Sequence, residues 1–149
     1  MPTDVLKLPL IAADQAQKHV TANEATEALD DIISTWQQSR WTTGTIASDV
    51  LTPLSSSVQV RTEGAASSDG ITSIVVPTQP YDTGSPASKI DGAEITLKGF
   101  DGETVTITAG STIKLGAATR VLSNEYDTLR LKYHETDDVW IEIGFTTIS

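Results

Sequence analysis

"KIDGAEITLKGFDGETVTITAGSTIKLG", residues 89–116, decides how this chain folds. Ile95 and Leu97 alternate with polar neighbours, and Val105 with Ile107 and Ile113 with Leu115 repeat the spacing. A period of two is that of a strand with one buried face. Asp-Gly pairs at 91–92 and 101–102 supply turns between the strands, since glycine tolerates positive φ and aspartate bonds to its own backbone. The same period extends outward to Val58 and Val60, Ile74 and Val76, Leu129 and Leu131, and finally Val139, Ile141, Ile143 and Phe145. A third Asp-Gly pair at 69–70 reads as another turn, and "SSDG" and "QPYDTGSPAS" read as loops. The expected unit over 56–149 is a compact antiparallel β domain, sandwich- or barrel-like.

Upstream the signals change. Pro2 and Pro9 disfavour helix at the residues before them, so residues 1 to about 20 read as an extended arm. Thr21 and Glu24 form a Thr-x-x-Glu capping box, in which each side chain satisfies an orphan amide of a first helical turn. Ala25, Leu29, Ile32, Ile33 and Trp36 then share one face of a helix over about 22–36, with Glu27, Asp30 and Asp31 opposite. Residues 37–55, rich in Ser and Thr, read as a connector with one short strand around Trp41 to Ile46. The organisation expected is an arm and helix over 1–36, a connector over 37–55 and a β domain over 56–149. A lone helix with an apolar stripe buries it either on its own β domain or against copies of itself about a symmetry axis.

Bulk composition narrows the function classes. Hydrophobic residues make up 38% of 149, which is thin for one self-sufficient core and favours an elongated or subunit-completed fold. Twenty acidic residues against ten Lys and Arg give a formal charge of −10, which argues against a nucleic-acid partner. No cysteine is present, so disulfides and thiolate metal sites are excluded. No apolar run reaches membrane-span length, so no membrane insertion is expected. The first ten residues lack the apolar core of a secretory signal, and synthesis in a cytoplasm is expected.

Two stretches carry a resemblance. In "LPLIAADQAQKHVTANEATEALDDI", residues 8–32, Leu8-Pro9, Gln15 to Thr21, Asn23-Glu24-Ala25 and Leu29-Asp30 resemble an N-terminal segment of tailed-phage and prophage fibre proteins. Similar segments occur in gene transfer agent particles of alphaproteobacteria. The sequence departs from that pattern at Ala22 and Thr26, which touches the helix more than the arm. Residues 89–145 are similar, more loosely, to C-terminal β modules of phage fibres and head spikes, with an Ile-x-Gly start, a Gly-x-x-Val-x-Ile strand and a closing Trp-x-Glu-Ile. The resemblance implies a virion structural protein: a homotrimeric fibre or spike, on a head or a tail, intertwined in parallel and displayed on the virion surface. It implies that Leu8, Pro9, Leu10, Ile11, Gln15, Gln17, Lys18 and His19 dock on another virion protein (major capsid, vertex or tail). It also implies that the stripe from Ala25 to Trp36 forms the trimer interface.

The chemistry-bearing residues point the same way. His19 and His134 have no partner at a metal-ligand spacing, so neither a metal, a cofactor nor a catalytic histidine is expected. Glycan-cleaving spikes need two carboxylates flanking the bond. Asp137-Asp138 reads instead as a hairpin turn, Glu103 follows an Asp-Gly turn, and Glu142 alternates with Ile141 and Ile143 and so faces outward or toward a neighbouring subunit. Trp140 is expected on that same outer or intersubunit face. Trp41, without a clear place in a core, and Tyr81, on the longest polar loop, are the candidate receptor contacts, with a host-surface glycan as ligand. The expectation is assembly without a reaction; a glycan-binding module and a small polysaccharide-degrading spike are the alternatives.

Overall fold

A computed structural model describes residues 26–27, 41–79 and 82–148. Thr26 and Glu27 are helical and exposed. The remaining helix and cap residues (Thr21, Glu24, Ala25, Leu29, Ile32, Ile33, Trp36) lie outside the described residues, as do Tyr81 and the arm from Leu8 to His19.

The described chain is mainly β. Its strands are β1 (Trp41–Thr45), β2 (Val50–Leu51), β3 (Ser57–Arg61), β4 (Ser68–Ile71), β5 (Ser73–Ile74) and β6 (Glu94–Lys98). They continue with β7 (Thr104–Thr108), β8 (Ile113–Lys114), β9 (Thr119–Leu122), β10 (Thr128–His134) and β11 (Val139–Thr146). A six-stranded sheet has the order β1-β3-β6-β10-β11-β8, a three-stranded sheet β4-β7-β9, and a two-stranded sheet β2-β5.

The strand directions correct the antiparallel expectation. β1, β3 and β6 run parallel side by side, as do β4 with β7 and β2 with β5. The chain leaves the large sheet after β3, visits the three-stranded sheet at β4 and the two-stranded sheet at β5, and returns in parallel at β6. This is a short three-sided coil. Parallel neighbours require a crossover, and here strands of the other sheets supply it. Among the described strands, antiparallel pairing joins β6 with β10, β10 with β11, and β7 with β9, while β8 joins β11 in parallel. The second half therefore closes the coil. Alternation of apolar residues fixes which face is buried but is silent on strand direction.

The coil also begins earlier than expected. β1 and β2 lie inside the stretch read as a connector, and Ile46 and Leu51 are fully buried. The short strand expected near Trp41 is present, but it belongs to the large sheet. The Asp-Gly turns at 91–92 and 101–102 form as expected, with Gly92 and Gly102 at positive φ. Asp69-Gly70 does not turn; it lies within β4. Its carboxylate is occupied in accepting the Glu63 amide of the 3-10 turn at Glu63–Ala65 (2.7 Å).

Apolar side chains from all three sheets form one core: Val58, Val60, Ile95, Leu97, Leu129 and Leu131 from the large sheet, Ile71, Val105, Ile107 and Leu122 from the three-stranded sheet, and Leu51 and Ile74 from the smallest. Each such side chain contributes about 1.5–3 kcal/mol on burial. Gly99 has a separate packing role: a Cβ there would lie 2.3 Å from the Asn124 carbonyl, so only glycine permits this approach.

The middle of the last strand reverses the face read from its sequence, while Val139 is buried and Phe145 packs against the core as read. Trp140 stands opposite Tyr133, Glu142 opposite Leu131, and Phe145 opposite Leu129, so these are the inward positions. A register shift between Arg130 and Leu131 makes room for Ile143 as an extra residue, the signature of a β-bulge. Trp140 is 1% exposed, whereas Ile141 and Ile143 are 39% and 42% exposed. Either phase of "VWIEIGF" offers apolar side chains, and the indole settles the choice. Its ring lies 5.5 Å from that of Tyr133, and its Nε1 donates to the Ile74 carbonyl at 3.1 Å. Trp140 is thus a core residue and not an outer or intersubunit one.

Candidate functional site

The carboxylates that could have served chemistry are held by the scaffold. Glu103, 6% exposed, accepts from the Arg61 guanidinium (Nε 2.8 Å, Nη2 2.6 Å), the Thr62 amide (2.8 Å) and the Thr62 hydroxyl (3.0 Å). The Arg61 bond, against the opposing effect of burial, holds its pKa below the ordinary carboxylate value. Glu142 faces inward, contrary to its expected outward position, and accepts both Arg120 Nε (3.0 Å) and Nη2 (2.7 Å) with the Gly116 amide (2.9 Å). Arg120 likewise lowers its pKa against burial. The two sites are built alike. Glu103 ties the residue before β7 to β3 through Arg61 and the Thr62 amide, and Glu142 ties β11 to β9 through Arg120 and to the preceding loop through the Gly116 amide.

Asp137 and Asp138 sit in the turn between β10 and β11, as their sequence context suggests. Asp137 pairs with His134 Nδ1 at 2.9 Å. Asp138 takes the Lys89 ammonium and the Tyr133 hydroxyl, and Lys89 first, then Tyr133, hold its pKa low. A glycosidase acid needs a pKa raised toward neutrality; Glu103, Asp138 and Glu142 are all shifted the other way.

Asp127 escaped the sequence reading. It is 1% exposed and accepts from the Ser123 amide (2.8 Å) and hydroxyl (3.0 Å), from Asn124 Nδ2 (3.1 Å) and from the Ile148 amide (2.9 Å). Burial pushes its pKa up, but these donors outweigh it and the net direction is down. The Ser-Asn-x-x-Asp spacing of 123–127 is that of a side-chain-closed turn and was the available signal.

The outer face of the six-stranded sheet gathers aromatic, basic and polar side chains among the described residues. Strand alternation sends Trp41 and Thr43 of β1, Gln59 of β3, Thr96 and Lys98 of β6, Thr128, Arg130 and Lys132 of β10, Ile141 of β11 and Lys114 of β8 to that side. Lys98 Nζ lies 4.7 Å from the Trp41 ring centroid, a cation–π contact. Trp41, 46% exposed, is therefore a surface aromatic on an edge strand.

The chain matches no protein-family model and no curated protein. Among the described residues, no group of His, Cys, Asp or Glu is placed to hold a metal ion, and no helix is long and apolar enough to cross a membrane.

Proposed function

We propose that this chain is a structural protein of a tailed bacteriophage or phage-like particle, a homotrimeric fibre or spike of the head or tail. Residues 1 to about 20 attach it to another virion protein, and the β coil projects from the virion surface. The observation that carries this reading is the resemblance of residues 8–32 to the N-terminal segment of phage and gene-transfer-agent fibres. The β architecture from Trp41 onward is in keeping with it. So is the use of Glu103, Asp127, Asp138 and Glu142 as structural anchors.

Deleting residues 1–20 should abolish incorporation into particles and leave the β unit folded, read by immunogold labelling and circular dichroism. A truncated chain that still decorates particles moves the docking role elsewhere. Trp41 favours a second reading, a glycan-binding tip. A glycan array comparing the full chain with Trp41→Ala separates adhesion from scaffolding, since loss of a positive signal requires the indole.

A further inference from the structure

Charge is unevenly distributed over the coil. The chain carries −10 overall, yet Lys98, Lys114, Arg130 and Lys132 stand together on the outer face of the six-stranded sheet. Among the described residues, the strand positions on that face carry one carboxylate, Glu94, and it lies 3.9 Å from Lys132. Arg130 makes no ion pair among the described residues. Among the described residues, Lys114 reaches only the Gly110 carbonyl (2.9 Å), and Lys98 only the Trp41 ring.

One corner of the coil carries the opposite sign. Asp49, Glu63 and Asp69 are brought together there by the Ser48 amide on Glu63 (3.0 Å), the Glu63 amide on Asp69 (2.7 Å) and the Thr72 amide on the Asp49 carbonyl (3.0 Å). None of the three acids makes an ion pair among the described residues.

A face of one sign repels itself across a two-fold axis, so it is unsuited to an isologous dimer. It is suited to a heterologous contact, in which a different and complementary patch of the next copy covers it. Such contacts close into rings, of which a trimer is one. The overall negative charge does not forbid this. At physiological ionic strength the screening length is about 8 Å, so contacts within an interface outweigh repulsion between distant charges.

We propose that copies of this chain meet head to tail, with the Lys98–Lys114–Arg130–Lys132 face of one against the Asp49–Glu63–Asp69 corner of the next. This rests on the homotrimer reading above and names the surfaces that would make it.

The test uses the full-length chain and follows mass by multi-angle light scattering across protein concentration and salt, with circular dichroism as the check on folding. Raising salt to about 0.5 M should weaken the trimer, because the screening length then falls to roughly 4 Å. The pair Lys98→Glu with Arg130→Glu should weaken it about tenfold or more. Glu63→Lys with Asp49→Asn should weaken it similarly; asparagine keeps the positive φ of position 49, and Asp69 is left to cap its turn. Combining Arg130→Glu with Glu63→Lys should recover part of the loss. A trimer indifferent to salt and to both folded variants overturns this interface and leaves the trimer reading standing. A wild-type monomer at every concentration overturns both. Retention on an acidic polysaccharide that Lys98→Glu abolishes, without change of mass, assigns the face to another occupant and overturns the proposal.

Discussion

The coil, β1 to β7, and its closure, β8 to β11, solve the same problem by different means. In the coil, parallel strands stack by returning to the same sheet, and every buried pair follows plain alternation: Val58 and Val60, Ile95 and Leu97, Val105 and Ile107. In the closure β10 keeps the alternation, but in β11 a bulge and one large indole set the faces, and alternation misleads. Regular stacking lets small β-branched residues repeat. Ending a stack needs a side chain that can cover irregular surface, and Trp140 does so while satisfying its N–H on the Ile74 carbonyl. Both halves then use one carboxylate–arginine clamp, Glu103 with Arg61 in the coil and Glu142 with Arg120 in the closure.

The largest difference is expected at neighbouring positions of β11. Trp140→Ala should cost about 3–5 kcal/mol, whereas Ile141→Ala should stay within about 0.5 kcal/mol, measured by urea unfolding. Equal costs would restore the face suggested by the alternation of Val139, Ile141 and Ile143.

The two clamps come next. Glu103→Ala strands the Thr62 amide in a buried site and should cost about 1–3 kcal/mol, whereas Glu142→Ala breaks the part-buried Arg120 pair but leaves the exposed Gly116 amide to water and should cost less, about 0.5–1.5 kcal/mol. A loss at one site only would show that the two halves are not held alike.

Acid should act on both halves together. Glu103, Asp127, Asp138 and Glu142 all have pKa values lowered in the folded state. The stability they contribute is present above the ordinary carboxylate range and is lost as pH falls below about 4. Glu103→Gln and Glu142→Gln should each flatten the acid limb of a stability–pH curve; an unchanged limb would remove those carboxylates from the account. The smallest effect is expected at Trp41, where alanine should change stability by no more than about 0.5 kcal/mol.

How much of this was legible can be read from particular residues. The pairs Ile95–Leu97 and Val105–Ile107 announced their strands because one face is apolar and the other is not. β4, written Ser-Asp-Gly-Ile, did not, because a lone Ile71 anchors it and Asp-Gly signals a turn everywhere else in the chain. β1, with Gly44 and threonines, was visible as a strand but not as the first rung of the coil. Its partner β3 is set by tertiary return of the chain and leaves no local mark. Among the carboxylates, sequence identified Asp137–Asp138 as a turn but put Glu142 on the wrong face, since its partner Arg120 is 22 residues away. Trp41 was legible as an unplaced aromatic. The gathering of lysines beside it was not, because Lys98, Lys114, Arg130 and Lys132 come together only through strand register.

Parallel return of the chain is the claim on which the rest depends, and the chain's lack of native cysteine makes it directly measurable. Parallel β1 and β3 place Trp41 beside Ser57, whereas an antiparallel pair in the same place would set Thr45 there. A Trp41→Cys, Ser57→Cys chain should form an intramolecular disulfide under mild oxidation, read by peptide mass mapping. A Thr45→Cys, Ser57→Cys chain should not, because parallel register offsets those positions along the strands by about 13 Å. The reverse outcome, cross-linking of 45 to 57 and not of 41 to 57, would contradict the coil.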